Sequence, residues 1–204
     1  MSVDTVARLK ITLDNVEPAV VRRVEVPVDI SLDRLHLIVQ AAMGWTNSHL
    51  YELSAGGVSW STPDHDADWT GDFLDARKAR LGHVLEDIGG KKLVYLYDFG
   101  DGWEHTIKVE RLADPAPGAL YPRLIEASGR CPPEDCGGPW GYAELLEAIK
   151  DPGHERHAEL TEWIGDDFDP KAEDAERLTA HVAALAASWS RKSPGKRGRR
   201  AVLS

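Results

Sequence analysis

A strand, a tight turn and a second strand follow one another near the middle of the chain, and this pattern constrains the fold most. Residues 92–98 are rich in the β-branched and aromatic side chains that favour strands. Residues 99–102 contain the glycines that a turn needs, and apolar and polar residues alternate over residues 103–112. We therefore predict a sheet that contains this hairpin.

The N-terminal part predicts another hairpin followed by a helix. Apolar and polar residues alternate over residues 6–13 and again over residues 20–26. Ser31 is a good helix N-cap and Gly44 a good C-terminal stop, and the apolar residues between them have helical spacing. Weaker patterns predict strands over residues 49–54 and 58–60 and a helix over residues 81–88.

Beyond the second hairpin the sequence predicts irregular structure and then helices. A run rich in proline and glycine at residues 114–118 ends the predicted sheet, and the segment that carries the cysteines has no regular pattern. Helical periodicity returns over residues 140–150 and 154–164 and once more near the C-terminus. The predicted organisation is a domain over residues 1–175, a C-terminal helix over residues 171–190 and a disordered basic tail over residues 191–204.

The composition excludes several classes of protein. Of the 204 residues 42% are hydrophobic, which rules out disorder along the whole chain. The formal net charge of −10 disfavours nonspecific attraction of the whole molecule to polyphosphate. Two cysteines are too few for a disulfide framework, and no signal peptide or membrane span is evident. We expect a cytoplasmic protein without a membrane partner.

Charge is unevenly distributed, because the residues after Ser190 include basic but no acidic side chains. Such a tail could bind a nucleic acid or an acidic protein surface, and a solubilising chain end is the alternative. The candidate nucleic-acid residues in this tail are Lys196, Arg197, Arg199 and Arg200.

The tip of the central hairpin is the first cluster that could carry chemistry. Two carboxylates, a tryptophan and a histidine lie within a short turn, where they could bind a metal ion, orient a ligand or transfer a proton. In the alternative interpretation the aspartates bond to the backbone amides of the turn while Trp103 and His105 face the core. The candidate residues are Tyr97, Asp98, Asp101, Trp103 and His105.

A second cluster combines two cysteines with two later histidines. Cys131 and Cys136 flank a corner that contains Glu134 and Asp135, which are further candidates for ligand binding or acid–base chemistry. With His154 and His157 the thiols form a possible zinc set, although the match to the common zinc modules is partial, because only two residues separate the histidines. In the alternative interpretation the thiols pack as small apolar groups beside a rigid Pro-Pro corner.

Several familiar functional motifs are absent from the sequence. It contains no GxxxxGKS/T phosphate-binding loop, no GxGxxG after a strand, no HExxH and no GxSxG. The acidic stretch over residues 64–75 resembles a calcium loop only superficially, because Trp69 and Asp75 occupy the places of the required glycine and glutamate. We expect this stretch to be a surface loop.

Short motifs along the chain occur in a characteristic order. They include Leu9-Lys-Ile-Thr-Leu, Arg22-Arg23-Val24-Glu25-Val26-Pro27, Gln40-Ala41-Ala42-Met43-Gly44-Trp45, His49-Leu50-Tyr51-Glu52, Tyr97-Asp98-Phe99-Gly100-Asp101-Gly102-Trp103-Glu104-His105, Pro132-Pro133-Glu134-Asp135-Cys136-Gly137-Gly138 and Phe168-Asp169-Pro170. Together they resemble the plasmid pRiA4b ORF-3-like protein family over about residues 5 to 175. One departure is Val21, where the family usually carries tryptophan.

The resemblance implies an α+β fold in which a mixed, curled sheet packs on the first helix like a roll, with a C-terminal helical segment. It implies little about activity. Some family members are labelled passenger or resolvase-like proteins of insertion elements, which suggests an association with mobile elements. The sequence has neither a serine nucleophile within an arginine cluster nor a tyrosine with an Arg-His-Arg set, so a recombinase is not predicted.

Our leading hypothesis is a noncatalytic binding or accessory module that recognises an unknown protein or small ligand. Its predicted ligand surface combines the hairpin tip with the cysteine corner, through Tyr97, Asp98, Asp101, Trp103, His105, Glu134 and Asp135. The alternative hypothesis is a metal-dependent enzyme or nucleic-acid-binding protein that uses the same two turns.

Overall fold

The computed structural model of the chain describes residues 5–63, 73–165, 168–172 and 174–192. The strands are β1 (Val6–Leu13), β2 (Val20–Pro27), β3 (Tyr51–Ala55), β4 (Val58–Ser61), β5 (Leu74–Asp75), β6 (Lys92–Tyr97), β7 (Trp103–Ala113) and β8 (Arg123–Ser128). The helices are α1 (Leu32–Met43), α2 (Leu81–Ile88), α3 (Gly138–Lys150), α4 (His157–Ile164) and α5 (Ala175–Lys192).

All eight strands form one open sheet in the order β5-β4-β3-β6-β7-β1-β2-β8. The β4/β5 pair is parallel and the other pairs are antiparallel, so the sheet is mixed. The predicted α+β class is therefore confirmed. Both predicted hairpins are present, as β1/β2 and as β6/β7.

The alternation in the strands buries one face of the sheet. Leu9, Ile11 and Leu13 of β1 are buried and the residues between them are half-buried, because successive side chains point to opposite faces. The same alternation in β6 and β7 places Tyr95, Tyr97 and further aromatic side chains in the core.

Helix α1 packs on the buried face of the sheet, and the loop that follows it lies at one end of the sheet. It ends at Gly44, whose φ of 85° is the left-handed conformation that glycine adopts readily. Arg22 of β2, which is only 1% exposed, donates from Nε to the carbonyl oxygen of Ala42 at 2.8 Å. This bond fixes the last turn of α1 against β2.

Strand β8 corrects the expectation of irregular structure after the proline- and glycine-rich run. It pairs with β2, where Arg23 lies opposite Glu126, and it forms an edge of the sheet. All six of its residues are exposed or half-buried. A strand with so little buried surface lacks the apolar alternation by which strands are predicted.

Of the C-terminal helices, α5 packs against the edge strand β8, and α3 packs against α4. Helices α3 and α4 are joined by an ion pair between Glu144 and Arg156 at 2.8 Å. Helix α5 buries Leu178 and Val182, and it contacts α1 and β8. Among the described residues, no helix has an apolar stretch long enough to cross a membrane.

Two predicted segments cannot be compared with the structure. Residues 64–72 of the expected surface loop lie outside the described residues, and its end, Leu74–Asp75, forms strand β5 instead of loop. The basic residues of the tail, Lys196, Arg197, Arg199 and Arg200, also lie outside them.

Candidate functional site

Three segments that are distant in sequence meet at one end of the sheet. They are the loop after α1 (residues 45–50), the β6/β7 turn (residues 98–102) and the corner before α3 (residues 131–138). The indole of Trp45 donates to the carbonyl of Pro132 at 3.0 Å, and the backbone N–H of Asp98 donates to Leu50 at 2.9 Å. The backbone N–H of Gly137 donates to the Asp101 carboxylate at 3.3 Å, which connects the turn to the corner.

Asp98 shapes the β6/β7 turn and still has a carboxylate oxygen for other contacts. Its φ of 55° is unusual for a residue other than glycine, although aspartate tolerates it better than most. Its Oδ1 accepts hydrogen bonds from the backbone N–H groups of Gly100 at 3.0 Å and Asp101 at 3.4 Å. Its other oxygen, Oδ2, lies 3.6 Å from Nε2 of His49.

Glycine permits the close approach of the corner to the turn. Gly138 has a φ of 69°, and a Cβ atom at this position would collide with the carbonyl oxygen of Asp101. Asp135, three residues earlier, also has a positive φ of 60°. This backbone path places the Asp135 carboxylate opposite the loop that carries His49.

Glu134 anchors the loop after α1. Its carboxylate accepts from the hydroxyl of Thr46 at 2.6 Å, from the Thr46 N–H at 2.9 Å and from the hydroxyl of Ser48 at 3.3 Å. Burial alone would raise the pKa of Glu134, but these bonds and one from Tyr97 outweigh burial and hold the pKa below its usual value. Glu134 is therefore an ionised anchor.

Tyr97 connects Glu134 to His49. Its hydroxyl donates to Glu134 at 2.6 Å and accepts from the backbone N–H groups of Ser48 at 3.0 Å and His49 at 3.3 Å. Burial, with the nearby Glu134 carboxylate, raises the pKa of Tyr97 to about 12, so the hydroxyl keeps its proton near neutral pH. The backbone of His49 is held directly by this hydroxyl.

His49, Asp98 and Asp135 form what we call the His49 triad. Nε2 of His49 lies 3.1 Å from Oδ1 of Asp135 and 3.6 Å from Oδ2 of Asp98, and all three atoms lie within 4.8 Å of one another. Nε2 is shielded from solvent but makes no hydrogen bond of good geometry with the described residues. The Asp135 side chain is 73% exposed, so the triad is accessible from that side.

These separations suit donor atoms that share a metal ion. Metal–ligand bonds of about 2.0–2.2 Å place neighbouring donors about 3.0 Å apart at octahedral angles and about 3.5 Å apart at tetrahedral angles. The distances of 3.1 Å and 3.6 Å from Nε2 of His49 to the two carboxylate oxygens are close to these donor–donor distances. Within the described ranges, no other group of three or more histidine, cysteine, aspartate or glutamate side chains meets in this way.

His105 and Trp103, which the sequence placed among the candidates, lie in the core instead. Both are fully buried, because the alternation of β7 directs them to the inner face of the sheet. Nδ1 of His105 lies 3.2 Å from the carbonyl of Tyr95 and 3.1 Å from that of Trp103. Burial lowers the pKa of His105 to about 4.

The four residues of the predicted zinc set are not assembled into a metal-ligating group. Nδ1 of His157 bonds to the carbonyl of Ala148 at 2.7 Å, and Nδ1 of His154 accepts from the N–H of Arg156 at 3.1 Å. Burial raises the pKa of the Cys136 thiol to about 12. Burial also raises the pKa of Cys131, so neither thiol is poised to be a thiolate.

His49 belongs to one of the family motifs in the sequence, but it was not predicted to be a site residue. No local spacing connects His49 to Asp98 or Asp135, because the contact depends on the pairing of β3 with β6 and on the path of the corner. The sequence pattern also placed His49 inside the strand predicted over residues 49–54, whereas β3 begins at Tyr51 and His49 lies in the preceding loop, where functional side chains are common. Thr46 and Ser48, which bind Glu134, were missed for the same reason.

A family model and a curated relative each match most of the chain. The sequence profile described as "Plasmid pRiA4b ORF-3-like protein" matches residues 5–177. "Uncharacterized protein y4hQ" of Sinorhizobium fredii (strain NBRC 101917 / NGR234) is 54% identical over 195 residues, covering 95% of this chain and 99% of that protein.

A solved structure has the same fold. The crystal structure of the "Protein of Unknown Function MM3350" from Methanosarcina mazei Go1 superposes with a TM-score of 0.76 at 32% sequence identity. The match covers 86% of this chain and 98% of that one. Neither description states an activity.

Proposed function

This chain belongs to the plasmid pRiA4b ORF-3-like protein family, and we propose that it is a noncatalytic binding module whose ligand site contains a divalent metal ion held by the His49 triad. One observation carries the proposal. A buried imidazole nitrogen without a hydrogen-bond partner among the described residues lies 3.1 Å and 3.6 Å from two carboxylate oxygens. A buried polar atom normally has a partner, and a metal ion between these three donors would supply it.

The donor set favours a particular class of metal ion. One imidazole and two carboxylates suit divalent transition metals such as Zn²⁺ and Mn²⁺, whereas Ca²⁺ and Mg²⁺ prefer oxygen ligands alone. Asp101 and Glu134 lie beside the triad and add negative charge that attracts a cation.

The remaining coordination positions would belong to the ligand. Three protein donors leave at least one position open, as in metal sites that bind an exogenous group. Because Asp135 is exposed, a metal ion held there would be accessible to a carboxylate or phosphate of a partner molecule. The module would then recognise an anionic group through the metal ion.

The surrounding hydrogen bonds support a preformed site. Glu134 and Tyr97 hold the backbone at His49, and the turn N–H groups of Gly100 and Asp101 orient the Asp98 carboxylate. Contacts of this kind fix the direction of metal ligands and raise affinity.

Isothermal titration calorimetry with Zn²⁺ and with Mn²⁺ tests the proposal. The variants Asp98→Asn and Asp135→Asn remove one carboxylate each, and asparagine tolerates the positive φ at both positions, so the turns are preserved. Asp87→Asn, on the exposed surface of α2, is the matched control.

We expect the wild-type protein and the control to bind about one Zn²⁺ per chain. Each triad variant should bind at least about tenfold more weakly, since a ligand is lost. Equal affinity in the variants, or no uptake of either metal by the wild type, would contradict the proposal.

A further inference from the structure

A row of basic side chains crosses the solvent-facing side of the sheet, away from the His49 triad. Lys92 of β6 lies opposite Lys108 of β7, which lies opposite Lys10 of β1, and Lys10 lies opposite Arg23 of β2. Directly opposed residues share one face of a sheet with Cα atoms about 4.5–5.5 Å apart. We call these four residues the cationic row.

The row is unfavourable for the isolated protein. Like charges directly opposite one another on neighbouring strands destabilise a sheet. Arg23 is neutralised by Glu110 at 3.0 Å and by Glu126 at 2.8 Å. The three lysines form no ion pair with any residue in the described ranges.

The next row in one direction is also rich in arginine. Arg8 lies opposite Arg111 and Glu25, and Glu25 lies opposite Arg123. Glu25 is shared among the three arginines at distances of 2.8 to 3.9 Å. In the other direction the row of Val94, Thr106, Thr12 and Val21 carries no charge. Positive charge is thus concentrated at one end of this face, although the whole chain carries −10.

We infer that this face is a docking surface for an acidic helix of a partner protein. Acidic side chains at i, i+3 or i+4 and i+7 of a helix lie about 5–6 Å apart along one side. This spacing matches the separation between successive members of the cationic row, so one glutamate or aspartate per turn meets one lysine per strand.

A nucleic acid fits the same surface less well. The outward-facing residues of β1, β2, β6 and β7 include no aromatic ring on which a base could stack. Glu25, Glu110 and Glu126 are interspersed among the cations and would repel a continuous phosphate backbone. A helix that presents separate carboxylates can avoid them.

Fluorescence anisotropy with labelled peptides tests this surface. The first probe is a helical, alanine-rich peptide of about 18 residues with glutamates at i, i+4, i+7 and i+11. The second has the same composition with the glutamates distributed around the helix. The full-length chain should bind the patterned peptide at least about fivefold more tightly than the second, and less tightly as salt rises.

Matched variants connect the binding to the row. The triple variant Lys10→Gln, Lys92→Gln, Lys108→Gln should bind the two peptides equally and unfold at the same or a higher temperature than wild type, because repulsion is removed. The control Lys78→Gln, Lys150→Gln, Lys171→Gln makes the same change of charge at exposed positions elsewhere and should keep the preference.

Several outcomes would overturn the inference. They are equal binding of the two peptides by the wild type, an unchanged preference in the row variant, and tighter binding of a duplex oligonucleotide than of the patterned peptide. Self-association through the row, seen by sedimentation of wild type but not of the row variant, would assign the surface to a second copy instead.

Discussion

The carboxylates of Glu134 and Asp98 have different structural roles at the His49 triad. Glu134 uses both oxygens to hold the loop that precedes His49, whereas Asp98 uses one oxygen for its own turn and directs the other toward His49. The two interpretations of the hairpin tip, bonding to the turn amides and binding a ligand, are therefore compatible for Asp98. A carboxylate that organises a turn can still present an oxygen to a ligand.

Replacing Glu134 with glutamine should loosen the loop without removing a triad member. The amide cannot accept all the bonds from Thr46, Ser48 and Tyr97, so we expect a loss of about 1–2 kcal/mol in the free energy of unfolding. Zn²⁺ affinity should fall about tenfold, as for other changes next to metal ligands. Urea denaturation and calorimetry measure both effects. Glu147→Gln, at an exposed position of α3, is the control. If both variants had the same stability and Zn²⁺ affinity, Glu134 would not be the anchor of the loop.

Gly138 provides a test of how closely the corner approaches the turn. Gly138→Ala introduces a positive-φ strain and a collision with the Asp101 carbonyl, whereas Gly118→Ala introduces the strain at a φ of 72° with no atom within 4 Å. Each should be destabilised by about 1 kcal/mol from the strain, with a further loss of about 1–3 kcal/mol at Gly138 from the collision. Thermal unfolding of the pair measures the difference. Equal melting temperatures would show that the corner is not packed against the turn.

Two buried histidines should make stability depend on pH. Burial lowers the pKa of His36 and of His105 to about 4, so each folded state disfavours the proton that the unfolded chain takes up near pH 6.5. Their contribution is complete above pH 6.5 and is lost as the pH falls towards 4.

The fall between pH 6.5 and 5 should be about 2 kcal/mol for each histidine. Carboxylates with lowered pKa, such as Glu25 and Glu134, lose their contribution only at lower pH, so this window isolates the histidines. Urea denaturation at several pH values measures the slope. A free energy of unfolding that does not change across the window would contradict the burial of neutral imidazoles.

Among the elements, the paired strands and amphipathic helices could be predicted and the edge strand could not. The alternation in β1, β2, β6 and β7 reports a buried face, which is why both hairpins were found. Strand β8 is held largely by its hydrogen bonds to β2 and by the guanidinium of Arg22, which donates to the carbonyl of Ser128 at 2.8 Å. A long-range bond from one side chain leaves no periodic signal in the sequence.

Arg22 should therefore control the attachment of β8. Its side chain also donates to Ala42 of α1, so Arg22→Met would leave the buried carbonyl of Ala42 and the carbonyl of Ser128 without this donor and lower stability by about 2–4 kcal/mol. Hydrogen exchange should show the largest loss of protection in β8 and at the end of α1. Arg77→Met, which removes an exposed arginine beside β5 at the opposite edge of the sheet, is the control, and similar exchange of β8 in both variants would refute the role.

Across the whole molecule, the candidate site depends on contacts that only the fold creates. Asp98, Asp101, Glu134 and Asp135 were predicted as site residues because they cluster in two turns. His49 could not be selected, since its loop reaches them through α1 and the β3/β6 pairing. The net charge of −10 also gives no indication of how charge is distributed over the structure. The acidic side chains of the candidate site lie at one end of the sheet, whereas the cationic row crosses the solvent-facing side of the sheet.

The proposed metal site can be tested most directly by anomalous diffraction from crystals of the wild-type protein grown with Zn²⁺. We predict an anomalous peak within about 2.0–2.2 Å of Nε2 of His49, Oδ2 of Asp98 and Oδ1 of Asp135. A map without a peak at the triad, or with its main peak at Cys131, Cys136, His154 and His157, would contradict the assignment.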